Sequence, residues 1–159
     1  MLDTSICVDL FNAGLLESFL RLPYEFLLLD VIVDELKEPP GQHLIDLGFL
    51  LVSLEGENIG IVQSLAEEYR ATSRVDLFAL AYAQAHECIL ITGDAALRAA
   101  AVEKGIDVHG VLWVMDALVA QNIVTPADAA NSLDRMMTSG SWLPREETRH
   151  RITRWRGMQ

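Results

Sequence analysis

The stretch Cys88-Ile89-Leu90-Ile91-Thr92-Gly93-Asp94 constrains the fold of this chain most. A short apolar run closed by a Gly-Asp turn reads as a buried strand, and the Ala-rich stretch from Ala95 to Lys104 that follows reads as a helix ended by Gly105. A strand that is apolar on both faces belongs to a covered parallel sheet, and parallel strands need crossover connections, usually helices.

The rest of the chain keeps to that alternation. Phe26-Leu27-Leu28-Leu29 is a second fully apolar run, followed by a helix from Val31 to Glu38 that Pro39-Pro40-Gly41 cannot continue. Met1-Leu2 leads straight into Asp3-Thr4-Ser5, so a strand there is very short, and Ile6 to Arg21 reads as helix with Gly14 as a break. Phe49 to Leu54 and Ile106 to His109 are strand-like, and His43 to Leu47 reads as a turn of helix. Helical periodicity covers Glu57 to Ala71, Val75 to Glu87 and Val111 to Gln121. Thr125 as N-cap with Pro126 at the first helical position opens a helix over Ala127 to Thr138, and Pro144 to Arg156 forms the last one. Strands alternating with helices predict an α/β fold with a parallel sheet.

A length of 159 residues suits one domain, and an apolar share of 51% supplies a core and argues against disorder. No apolar run is long enough to span a bilayer and no secretory leader is visible, which predicts a cytoplasmic protein without a membrane partner. Cys7 and Cys88 belong to no metal-ligand pattern and read as buried thiols. The four His residues lack ligand spacing, so a metal here is a hard cation held by carboxylates.

A net charge of −11 excludes a passive nucleic-acid coat, because phosphate contacts need Lys and Arg. The charge is uneven: residues 1–144 hold 21 acids against 7 bases, whereas residues 145–159 hold five Arg against Glu146 and Glu147. The ordinary reading of that tail is a solvated helix face. The functional one is a basic strip for a phosphate backbone, with Arg154 and Trp155 interleaved as single-stranded nucleic acid favours. Trp113 and Trp142 have apolar neighbours and are expected in the core or an interface.

Asp3 and Asp94 occupy equivalent places, each after an apolar strand and before a helix, at the edge of a parallel sheet where ligands bind. Glu35 lies about one helical turn beyond the Phe26–Leu29 strand, and Asp76 sits in the first turn of the helix that feeds the Cys88–Thr92 strand. Each has an ordinary explanation as well. Asp3 and Asp94 suit N-caps, Asp76 suits a capping pair with Ser73, and Glu35 suits a solvated helix face. Several carboxylates at one edge raise one another's pKa and persist together mainly where a cation neutralises them.

In these residues the chain resembles the PIN-domain nucleases. The matching pieces are Leu2-Asp3-Thr4-Ser5, Val33-Asp34-Glu35-Leu36, Val75-Asp76-Leu77-Phe78-Ala79-Leu80-Ala81, and Ile89-Leu90-Ile91-Thr92-Gly93-Asp94-Ala95-Ala96-Leu97-Arg98, in order over roughly residues 1–110. The resemblance implies a three-layer α/β/α sandwich with a central parallel sheet, and a helical extension over about 110–159. It implies a Mg2+- or Mn2+-dependent phosphodiesterase, usually acting on RNA. Many prokaryotic members are toxins neutralised by a small antitoxin, and homodimers are common. By resemblance the metal and catalytic residues are Asp3, Glu35, Asp76 and Asp94, with Thr4 and Thr92 as supporting hydroxyls. Arg74, Arg98 and the C-terminal strip with Arg154 are the cations available to substrate phosphates. Asp34 is the alternate to Glu35, and the lack of a second Asp close after Asp94 favours one metal position over a two-metal clamp. Two rivals stand beside this reading. One is a non-catalytic module of the same fold that binds a protein partner. The other is a small-molecule phosphohydrolase with Asp3 as nucleophile, which the absence of a second Asp two residues after Asp3 weakens.

Overall fold

The computed structural model describes residues 1–158. In chain order the elements are α1 (Thr4–Ala13), α2 (Leu16–Phe19), β1 (Leu27–Leu29), α3 (Asp30–Glu35), α4 (Gly41–Leu47), β2 (Leu50–Val52), α5 (Gly56–Glu68), α6 (Arg74–His86), β3 (Leu90–Ile91), α7 (Ala95–Glu103), β4 (Val108–His109), α8 (Val111–Ala120), α9 (Pro126–Thr138) and α10 (Arg145–Arg156). Helices dominate this mixed α/β chain, and the parallel ladders are short. Among the described residues no helix is long and apolar enough to cross a membrane.

β1 pairs in parallel with β2, Leu27 opposite Leu50, and β3 pairs in parallel with β4, Leu90 opposite Val108. The N-terminal residues lie between the two pairs. Leu2 forms a parallel bridge with Ile91 and donates its amide to Leu27 O at 3.1 Å. Ile91 donates to Met1 O at 2.9 Å, and Asp3 donates to Ile91 O at 3.1 Å. Leu2, Leu28, Leu29 and Leu90 have no exposed surface, as expected of side chains covered on both faces of a parallel ladder.

The expected helix over Ile6 to Arg21 is two helices. Gly14 takes a left-handed conformation (φ +68°), and its amide donates to Leu10 and Phe11 carbonyls, which closes α1 before α2 begins. The helix expected from Val31 to Glu38 stops at Glu35, because Leu36 turns extended (ψ 122°) and buries its side chain. Thr125 caps α9 by accepting from Asp128 N, with Pro126 at the first helical position, as predicted.

Ala129, Leu133 and Met136 place a buried stripe on α9, and Thr148, Ile152 and Trp155 do the same on α10. α10 packs on α9, and α9 packs on α1. Buried side chains from Met1 to Trp155 form one hydrophobic cluster, so the C-terminal helices share their core with the segment that carries Asp3.

A candidate acidic site at the strand ends

Asp3 is the N-cap of α1, with Oδ1 accepting from the Ile6 amide at 2.9 Å. It is 1% exposed, and both of its oxygens are hydrogen-bonded. Ser5 Oγ donates to Oδ1 at 2.8 Å, and the fully buried Thr92 hydroxyl donates to Oδ2. Thr92 Oγ1 in turn accepts from the Asp94 amide at 2.9 Å. Asp94 is the N-cap of α7 through Oδ1, which accepts from Leu97 N at 2.7 Å. Ser73 caps α6 and donates its hydroxyl to Asp76 Oδ2 at 2.6 Å. Glu35, at the last position of α3, accepts from the Thr4 hydroxyl at 2.9 Å. Neighbouring Asp34 is exposed and receives no comparable bond. The capping roles expected of Asp3, Asp94 and the Ser73–Asp76 pair are thus realised, and the first two caps stand at the carboxyl ends of parallel strands.

The electrostatics link these side chains. Burial pushes the Asp3 carboxyl up to about 6, the hydrogen bonds from Thr92, Ile6 and Ser5 oppose that rise, and the charge of Asp76 adds to it. Burial also raises Asp76, and the charges of Asp94 and Glu35 raise it further. Asp76 on α6 therefore senses the charges carried by α3 and α7, and Asp3 senses that of Asp76.

The donor set is hard oxygen, which fits a divalent cation such as Mg2+ or Mn2+ and does not suit a soft metal. As the side chains stand, no three His, Cys, Asp or Glu groups among the described residues are disposed to hold an ion. Asp94 Oδ2 and Glu35 Oε1 face no protein donor among the described residues, so each carboxylate keeps an oxygen for a ligand.

Two contributors were not anticipated. Ser5 joins Asp3 to the Gly93 turn by accepting from the Gly93 amide at 3.1 Å while donating to Asp3. Its place in the Asp3-Thr4-Ser5 start was the available signal. Asp30 follows β1 directly and accepts from the Ser53 hydroxyl at 2.7 Å, adding a carboxylate at the end of the neighbouring strand.

The expectations for the cations and tryptophans divide. Arg74 opens α6, two residues before Asp76, and Arg98 lies on α7 with its guanidinium on the carbonyls of Thr92 and Val108. Arg154 is not a free cation, because it pairs with Asp116 at 3.1 Å, and Arg151 shares the same carboxylate at 2.7 Å. Arg156 pairs with Asp134. Trp155, expected with Arg154 in a strip for nucleic acid, is 1% exposed on the buried side of α10. Trp142, expected in the core or an interface, is 83% exposed and so lies outside the core of the chain. The stripe Thr148–Ile152–Trp155 at helical spacing carries Trp155 inward, whereas the loop before α10 buries Leu143 and leaves Trp142 outside.

The mixed α/β fold with its short parallel ladders is compatible with a nuclease-type domain. A family model described as a PIN domain matches residues 1–156, and the chain belongs to the PIN-domain family. PIN domains are generally nucleases that bind nucleic acid and typically use divalent metals. No curated protein and no solved structure matches the chain.

Proposed function

We propose that this chain is a Mg2+- or Mn2+-dependent endoribonuclease of the prokaryotic toxin–antitoxin type, acting in the cytoplasm. In this reading residues 1–159 form one PIN-like domain, a three-layer α/β/α core to about residue 110 with a helical extension beyond. What supports it is the match of a PIN-domain family model to residues 1–156, together with the hydrogen bonds that tie Asp3 through Thr92 to Asp94 and Glu35 to Thr4. Asp3, Glu35, Asp76 and Asp94 would hold the cation. A bound divalent cation polarises phosphoryl oxygens and makes water more acidic.

The chain's own residues orient and select. Thr92 and Ser5 fix the rotamer of Asp3, so the buried carboxylate is aimed before a ligand arrives. Thr4 does the same for Glu35 across the edge. Asp94 keeps Oδ1 in the α7 cap and leaves Oδ2 for the ligand. Substrate phosphates approach an acidic protein through the cation and unpaired Arg side chains, so binding is weak without metal and falls with salt.

The test is cleavage of single-stranded RNA by the purified chain with Mn2+ or Mg2+ across several salt concentrations. Absence of cleavage under all of them overturns the reading.

A second reading, a non-catalytic module that binds a protein partner, has one observation in its favour. Leu50 and Leu51 on β2 are 45% and 53% exposed, and Ile59 and Ile61 on α5 are exposed as well. Such apolar groups suit a small antitoxin or a second copy of the chain. Asp94→Asn separates the readings, since a module keeps its partner and has no cleavage to lose.

A further inference from the structure

Trp142 is held in water by a pinned loop. The Ser141 amide donates to Met136 O at 3.0 Å, Gly140 takes φ +91°, and Leu143 is buried. Pro144 then starts α10, its carbonyl accepting from the Thr148 hydroxyl at 2.7 Å. A large indole left outside a fixed loop forgoes the burial that normally stabilises it.

Two clefts meet at this indole. One, of about 340 Å³, runs from Trp142 and Pro144 past Trp113 to Arg98 and Thr92. The other, of about 290 Å³, runs from Trp142 past Asn12 to Ser5. Both reach Gly93, the turn between Thr92 and Asp94, so both open beside the acidic edge. The larger cleft holds a cation. Arg98 donates to Thr92 O at 3.2 Å and Val108 O at 3.5 Å, which leaves others of its five N–H donors free. Among the described residues it pairs with no carboxylate, although the chain carries a net charge of −11. A Cβ at Gly110 would stand 2.8 Å from Arg98 Nη2, so glycine is what lets the guanidinium lie there.

We propose that Trp142 is a stacking platform for an unpaired base of a single-stranded substrate, and that Arg98 takes the phosphate beside that base. The inference rests on the nuclease reading, since it places the base next to the phosphodiester held at Asp3 and Asp94. An exposed π-face and a guanidinium free of carboxylates, lining one cleft, match the alternation of base and phosphate in a single strand. The bases of a duplex are already stacked and offer no free face, so the site selects single strands.

The test uses the full chain with Ca2+ in place of Mg2+ or Mn2+, and fluorescein-labelled single-stranded and duplex RNA of equal length, read by anisotropy. Trp142→Ala is expected to weaken single-strand binding about tenfold, the scale of one lost base–aromatic stack, and Trp142→Phe to retain most of it. Duplex binding should not change. Trp142→Ala binding within about twofold of the parent, an equal loss for duplex, or no RNA binding by the parent overturns the proposal. So does a change of oligomeric state alone, which would make Trp142 a protein contact. The two readings fail separately. Mn2+-dependent cleavage with unchanged KM in Trp142→Ala removes the platform and leaves the nuclease. Trp142-dependent binding without cleavage by the parent keeps the platform and removes the nuclease.

Discussion

The Thr92 hydroxyl donates to the Asp3 carboxylate while accepting the amide of Asp94, so one buried oxygen ties two strand ends together. Thr92→Val keeps the shape and deletes both bonds. It should destabilise the chain by about 1–3 kcal/mol, because a buried carboxylate oxygen keeps only the Ser5 hydroxyl as donor and the Asp94 amide loses its acceptor. Thr92→Ser should recover most of that. Urea unfolding of the three proteins measures it, and equal midpoints for Val and parent would refute the coupling.

Asp94 caps α7, and in the proposed function it is also a site carboxylate. Asn caps a helix about as well as Asp, whereas Ala forfeits about 0.5–2 kcal/mol. Asp94→Asn should therefore abolish RNA cleavage and metal-dependent thermal stabilisation while melting close to the parent. Asp94→Ala should abolish both and melt lower. Calorimetry with and without Mn2+ separates the roles.

Glu35 receives the Thr4 hydroxyl and Asp34 does not. Glu35→Gln should lower metal-dependent cleavage by at least the roughly 10–100-fold that losing even an outer partner of a metal site brings. Asp34→Asn should leave the rate near that of the parent. The reverse order in initial rates would reassign the site to Asp34.

Burial raises Asp3 from 3.8 to about 6, and Asp76 shifts in the same direction. Between those values the folded chain holds a proton that the unfolded chain has released. Stability is thus greatest below the window and declines as pH rises through it. In EDTA the urea midpoint should be higher near pH 5 than near pH 7, and Asp3→Asn should flatten that slope. A midpoint that climbs over this interval in the parent would contradict the burial of Asp3.

Arg98 is free of carboxylates and Arg154 is held by Asp116. Arg98→Ala should reduce the slope of log affinity against log salt for single-stranded RNA by about 0.7, the value for one phosphate contact. Arg154→Ala should leave the slope unchanged.

How much of this could be read in advance varied from element to element, for physical reasons. Local chemistry carried well. The Thr125-Pro126 helix start and the Thr92-Gly93-Asp94 turn are set by groups a few residues apart. Asp3 and Asp94 were legible as both caps and edge carboxylates because one backbone position makes them both. Gly14 could only be marked as a possible break, since its left-handed conformation is stabilised by carbonyls of the helix it ends. The tryptophans went the other way. The Arg neighbours of Trp155 in sequence point it to solvent, although its i, i+4, i+7 spacing with Thr148 and Ile152 turns it inward. Trp142 had apolar neighbours, but its exposure depends on which residue of a loop reaches the core, and that is decided by helices packed from afar.

The packing of α9 and α10 against α1 has a consequence for synthesis. A ribosome releases Asp3, Glu35, Asp76 and Asp94 well before the residues of the last two helices. Until those helices emerge, α1 has no cover on that side and the loop carrying Trp142 does not exist. The nascent chain thus stays incomplete beside the very RNA it is made from until the last two helices have left the ribosome.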